Sequence, residues 1–124
     1  MQNSKYKIDL KEKAYLYSLG AIKFIDSLSN KDVSVQIITK QLLRSATSIG
    51  ANIIEAQAGS SKRDFTNFLN HSLKSANESK FWLRLLRDSN KAQNYKVNDL
   101  LKETEELSKI LAASLITLRG KRNL

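Results

Sequence analysis

The chain has 124 residues with no cysteine, no proline and only four glycines. That is long enough for one domain with a real core, too poor in turn formers for an all-β fold, and without disulfides, thiolate zinc sites or cysteine nucleophiles, so an all-α protein is expected. Lys and Arg number 21 against 12 Asp and Glu, a formal charge of +9 that favours polyanions such as RNA, DNA or an anionic membrane surface.

Four amphipathic segments follow in order. The first is predicted over 9–28, with Tyr15, Leu19, Ile22, Ile25 and Leu28 at three- and four-residue steps. Asn30 or Asp32 is placed to cap the second, over 31–58, whose stripe runs Val35, Ile38, Leu42, Ala46, Ile49, Ile53 and Ala56. Gly59-Ser60-Ser61 supplies a stop and a new cap. The third segment, 62–90, carries Phe65, Leu69, Ser72, Ala76, Leu83 and Leu86. A polar stretch from Ser89 to Tyr95 reads as a loop before the fourth segment, 97–119, with Leu100, Thr104, Leu107, Leu111, Ser114 or Leu115, and Leu118. Gly120 is read as its end, leaving 120–124 as a basic tail. Four helices with short connections make one up-down-up-down four-helix bundle, without a dividing linker.

The third segment is apolar over too wide an arc. Phe68, Trp82 and Leu86 widen its stripe on one side, while Phe81 and Leu85 fall well outside it. Two readings stand: a second buried surface, hence self-association, or two tolerated exposed side chains.

No catalytic constellation is visible. His71 is the only histidine and has no Glu-x-x-His partner, so neither a metal nor a cofactor is expected. Ala58-Gly59-Ser60-Ser61-Lys62 lacks the first glycine and the preceding strand of a P-loop and reads as a helix–helix turn. Nucleophile elbows and dinucleotide fingerprints are also missing, and the chain is not read as an enzyme. The N-terminus has no signal-like apolar stretch, and no run nears the ~20 apolar residues of a membrane span. A soluble, cytoplasmic protein is the expectation.

Polar residues on the helices carry more information. Arg44 and Glu55, eleven residues apart, share a face with Ser48 and Ala51, small enough to let another helix approach. His71, Glu78 and Trp82 share a face of the third segment. These charges are either ordinary solvated groups or pairs at a helix–helix or subunit interface.

The residues from Leu42 to Ala56, Leu-Leu-Arg-Ser-Ala-Thr-Ser-Ile-Gly-Ala-Asn-Ile-Ile-Glu-Ala, resemble the second-helix signature of the small bacterial four-helix-bundle proteins. A second block fits as well: Lys62-Arg63-Asp64-Phe65, Leu69, Ala76-Asn77-Glu78-Ser79 and Trp82-Leu83-Arg84-Leu85-Leu86. That family was first noticed as reading frames inside intervening sequences of bacterial large-subunit rRNA genes. It is similar to the accessory protein of diversity-generating retroelements, which works with a reverse transcriptase and RNA. The resemblance implies a left-handed bundle assembled as a ring-shaped homopentamer, with Arg44, Asn52, Glu55 and Glu78 as structural polar residues. Ala56-Gln57-Ala58 stands where family members often have Gly-Phe or Gly-Tyr, which marks a sub-branch.

Two functions remain in view. The first is nucleic-acid binding, RNA or DNA, through the phosphate backbone, by Arg63, Lys74, Lys80, Arg84 and Arg87 of the third segment with Lys121 and Arg122 of the tail. Lys5, Lys7, Lys11 and Lys13 form a further basic cluster. The second is a protein-interaction scaffold, the ring docking onto a partner enzyme such as a reverse transcriptase; Phe81, Trp82 and Leu85 are read as interface residues of the self-association. A basic surface that serves only solubility is the alternative to the first. A membrane role is not expected, since no amphipathic segment stays free of the bundle.

Overall fold

The computed structural model describes residues 9–123, with side chains through Gly120. Four helices follow in order: α1 Leu10–Asp26, α2 Val33–Ala58, α3 Lys62–Asp88 and α4 Asn94–Asn123. Each packs on the next and α4 returns to α1, closing an up-down-up-down bundle in which the α2–α3 seam is the most extensive and α1–α4 the least.

The helix ends have local causes. Ser61 caps α3, its hydroxyl accepting from the Asp64 backbone N–H at 3.0 Å. Asp32 stands at the N-cap of α2 but makes no capping bond; its carboxylate instead accepts from Lys91 Nζ at 2.9 Å. At the end of α3, Asn90 takes a φ of 61°. Its N–H donates to the Arg87 carbonyl at 3.1 Å and that of Lys91 to the Leu86 carbonyl at 3.0 Å, the paired bonds of a Schellman stop.

Two expectations about α4 are corrected. It begins at Asn94 rather than about 97, and it runs through Gly120 to Asn123, so 120–123 belong to the helix rather than to a tail. No glycine in the described residues has the positive φ of a C-terminal cap, and a Cβ at Gly120 would meet nothing within 4 Å. Gly120→Ala should therefore stabilise the protein, by up to about 1 kcal/mol, through helix propensity. A lowered melting temperature would show that Gly120 ends the helix after all.

A third correction concerns α1. Of the stripe expected to face the core, Ile25 and Leu28 pack against it, but Tyr15, Leu19 and Ile22 are exposed, whereas Ala14, Tyr17, Ala21 and Phe24 are buried. The core-facing row is partly built of alanines because α1 and α2 approach closely. A Cβ added at Gly50 would lie 3.4 Å from the Ala14 Cβ. The stripes read on α2, α3 and α4 do face inward. Leu42, Ile49, Ile53, Leu83, Leu86, Leu107, Leu111 and Leu115 are at most 2% exposed.

A layer of hydroxyls crosses this core, one from each helix. Tyr17 on α1 lies 2.6 Å from Thr104 Oγ1 on α4. Thr104 gives its only proton to the Leu100 carbonyl at 2.6 Å, so Tyr17 is the donor between them. Ser45 on α2 and Ser79 on α3 share a hydrogen bond of 2.9 Å, and Ser79 also donates to the Ser75 carbonyl at 2.9 Å. Among the described residues no buried side-chain polar atom lacks a partner. A fully paired polar layer of this kind fixes helix register, because a shifted helix would strand several groups at once.

Candidate nucleic-acid interface

The outward face of α3 presents Arg63, Lys74 and Arg84, all exposed and none in an ion pair with another described residue. They follow one another at intervals of eleven and ten residues, about 16 Å each along a helix. Asn67, Asn70 and Asn77 lie between them. Arg63 also borders a shallow depression with Lys62, Thr66 and Asn67 at the start of α3.

Two other predicted cations are engaged within the bundle. Lys80 Nζ donates to Glu105 Oε1 at 2.7 Å across the α3–α4 seam, and this bond holds the Glu105 carboxyl below its usual range. Arg87 donates through Nε to Asp88 Oδ1 at 2.9 Å and through Nη1 to Asn98 Oδ1 at 3.1 Å. The same hydrogen bond lowers the Asp88 carboxyl. Lys80 and Arg87 are thus pinned to α4 and to their own helix end. The side chains of Lys121 and Arg122 lie outside the described residues, as do Lys5 and Lys7.

The antiparallel topology adds something that the linear sequence hides. α1 and α3 begin, and α4 ends, at the same pole of the bundle. Among the described residues that pole comprises 9–18, 46–75 and 109–123. These segments hold nine Lys and Arg against four Asp and Glu, whereas the other half, 19–45 and 76–108, holds ten against eight. The described segments of one pole therefore carry +5 and those of the other +2. Lys11, Lys62, Arg63, Lys74, Lys109 and Arg119 are the exposed described cations of the first pole.

The predicted interface residues fall into two groups. Glu78 on α3 accepts from Arg44 Nη2 across the α2–α3 seam and from Trp82 Nε1 at 2.9 Å. Arg44 also donates to Gln41 Oε1 at 3.0 and 3.2 Å. The side chains of this pair are 56% and 34% exposed, so within a single chain it contributes no more than about 1 kcal/mol. Asn52 donates to the Ser48 carbonyl at 2.9 Å, and Ser75 Oγ reaches Ser48 Oγ at 3.1 Å, tying the same seam. Glu55 is exposed, with no ion pair to a described residue. His71 is exposed beside Phe68.

The second group is apolar. Phe81 is 54% exposed and lies edge-on to Trp82 at a centroid distance of 4.9 Å, with Leu85 exposed one turn on. The sequence reading missed a larger surface on the neighbouring side, where Tyr15, Leu19 and Ile22 of α1 adjoin Leu43 and Ile54 of α2. A signal was present: α2 carries only three charged residues, Lys40, Arg44 and Glu55, in 26.

Among the described residues no group of three or more His, Asp or Glu side chains could hold a metal, and no helix is long and apolar enough to cross a membrane. What the fold defines is a small four-helix bundle with cationic and apolar side chains turned outward. Residues 7–113 match the family described as 23S rRNA-intervening sequence protein. A crystal structure of a protein of unknown function from the S23 ribosomal protein family of Bacteroides thetaiotaomicron superposes with a TM-score of 0.79 at 33% identity, covering 86% of this chain and 98% of that one. Among curated proteins none matches. The chain belongs to the 23S rRNA-intervening sequence protein family.

Proposed function

We propose that this protein is a self-associating basic bundle that binds nucleic acid through the phosphate backbone, as an accessory factor rather than a catalyst. The observation that carries the reading is the row of Arg63, Lys74 and Arg84 on the open face of α3, joined to the excess of +5 in the described segments of one pole. Charges of one sign so arranged attract phosphate without a sequence code. The side chains between them are asparagines, not aromatics, which favours backbone contact over base stacking. The family description, which ties its members to an intervening sequence of 23S rRNA, favours RNA as the polyanion.

The exposed apolar side chains of α1, α2 and α3 support self-association. The family resemblance supplies the number five, and a pentamer of +9 subunits carries a formal +45. Docking onto a partner enzyme such as a reverse transcriptase is the second reading, and it draws on the same exposed apolar residues.

Replacing Arg63, Lys74 and Arg84 together by Gln should flatten the slope of log affinity against log salt by roughly two or three units, weakening all sequences alike. Replacing Lys80 and Arg87, held by Glu105, Asp88 and Asn98, should flatten it less. Equal slopes for the wild type and the triple variant would remove the α3 face from the account.

A further inference from the structure

Two bonds fix the antiparallel register of α3 against α4. Lys80 meets Glu105 at 2.7 Å, and Arg87 meets Asn98 at 3.1 Å. Seven residues onward along α3 are thus seven residues back along α4. On that register Arg63, Lys74 and Arg84 stand level with positions 122, 111 and 101 of α4. The exposed described cations of α4 are Arg119, Lys109 and Lys102. They stand three, two and one residue from those levels, about 5 Å or less along a helix. At 100° per residue Lys102 and Lys109 share the flank of Asn98 and Glu105, within roughly 60°, so they lean toward α3. None of the three is in an ion pair with another described residue.

The seam therefore carries three rungs, Arg63–Arg119, Lys74–Lys109 and Arg84–Lys102, each setting cation against cation. Most carboxylates of the two helices are engaged elsewhere. Glu105 and Asp88 are taken by Lys80 and Arg87, Glu78 by Arg44 of α2, and Glu106 by Lys13 of α1. Asp64 turns back to the Ser60 hydroxyl at 3.4 Å, while Asp99 and Glu103 border a depression on the α1 side. Like charges facing each other across the ~8–10 Å between packed helices repel, unless an anion lies between them.

We infer that the α3–α4 seam cradles one strand of RNA, its phosphates running along the bundle axis between the two rows of cations. This rests on the backbone binding proposed above. It adds Lys102, Lys109 and Arg119 to the contacts and gives the strand a direction. A flexible single strand can follow a straight seam past all three rungs. A duplex winds its backbones about its own axis, once in roughly 34–36 Å for B-DNA, and meets a straight seam only where a strand crosses it. The depression bordered by Lys62, Arg63, Thr66 and Asn67 adds a concave seat at one end, since Thr66 is level with Arg119.

The test compares two triple variants that lose the same charge. Lys102, Lys109 and Arg119 are replaced by Gln in one. In the other, Gln replaces Lys23, Lys31 and Lys40, which are exposed elsewhere on the surface. Affinity for a short single-stranded polyuridine RNA is followed across a salt series, with helicity checked by circular dichroism. The α4 variant should flatten the slope of log affinity against log salt by about two units, and the control by much less. An unchanged slope for the α4 variant, or equal flattening by the control, would overturn the cradle and leave the α3 row standing. A wild type that binds no RNA even at low salt would overturn the proposed function itself. Annealed to polyadenosine, the same RNA should show a smaller difference between wild type and α4 variant; an equal or larger one would overturn the single strand as occupant. Where the triple variant loses helicity, Lys109→Gln alone, at the middle rung, should still flatten the slope by about 0.7 unit.

Discussion

Tyr17→Phe should destabilise the protein at neutral pH and protect it at high pH. Burial pushes the Tyr17 hydroxyl up to about 12 from the ordinary 10.0. Between those values the folded chain keeps a proton that the unfolded chain loses. The contribution is therefore complete below about pH 10 and is lost as pH rises toward 12. The loss is on the order of 3 kcal/mol. Removing the hydroxyl sacrifices the bond to Thr104, about 1–2 kcal/mol at pH 7. Denaturant midpoints of the two proteins followed from pH 7 to 12 should converge and then cross. Parallel curves would show that Tyr17 ionises as readily folded as unfolded.

The second large effect lies at the α2–α3 seam. Ser45, Ser72, Ala76 and Ser79 are fully buried there, and small side chains let the two helices come close. Ser72 Oγ also donates to the Ile49 carbonyl at 2.8 Å. Ser72→Leu both deletes this bond and overfills the seam, and should cost about 3 kcal/mol or more. Ser72→Ala keeps the space and loses only the bond, about 1 kcal/mol. If the two variants melted alike, the seam would have room that the structure denies it.

How far the sequence foretold this depends on side-chain size. On α2 the stripe from Val35 to Ala56 is legible because bulky residues face the core at regular steps. On α1 the same rule fails: the bulkiest periodic residues, Tyr15, Leu19 and Ile22, point outward, and two of the four buried positions are alanines, of which Ala14 faces Gly50. Hydrophobic spacing alone cannot tell a core stripe from an interface stripe when one helix carries both. Gly120 misled for a related reason, since a glycine marks a helix end only where the backbone needs a positive φ.

The candidate site was legible in composition and only partly in position. Arg63, Lys74 and Arg84 are exposed on the α3 face where they were expected. Lys80 and Arg87 were read as phosphate contacts too, but the α3–α4 register sets them against Glu105 and Asn98. That register is a tertiary fact with no local signature. The convergence of α1, α3 and α4 on one basic pole likewise needs the antiparallel topology before the charges, far apart in sequence, can be added together.

The claim at the centre of this account is binding by backbone electrostatics. Affinity of the wild-type protein for several unrelated RNAs of one structural type, measured across a salt series, tests it most directly. The account predicts straight lines of log affinity against log salt, with a common steep negative slope and little spread between sequences. Binding that ignores salt, strong preference for one sequence, or no binding even at low salt would contradict it.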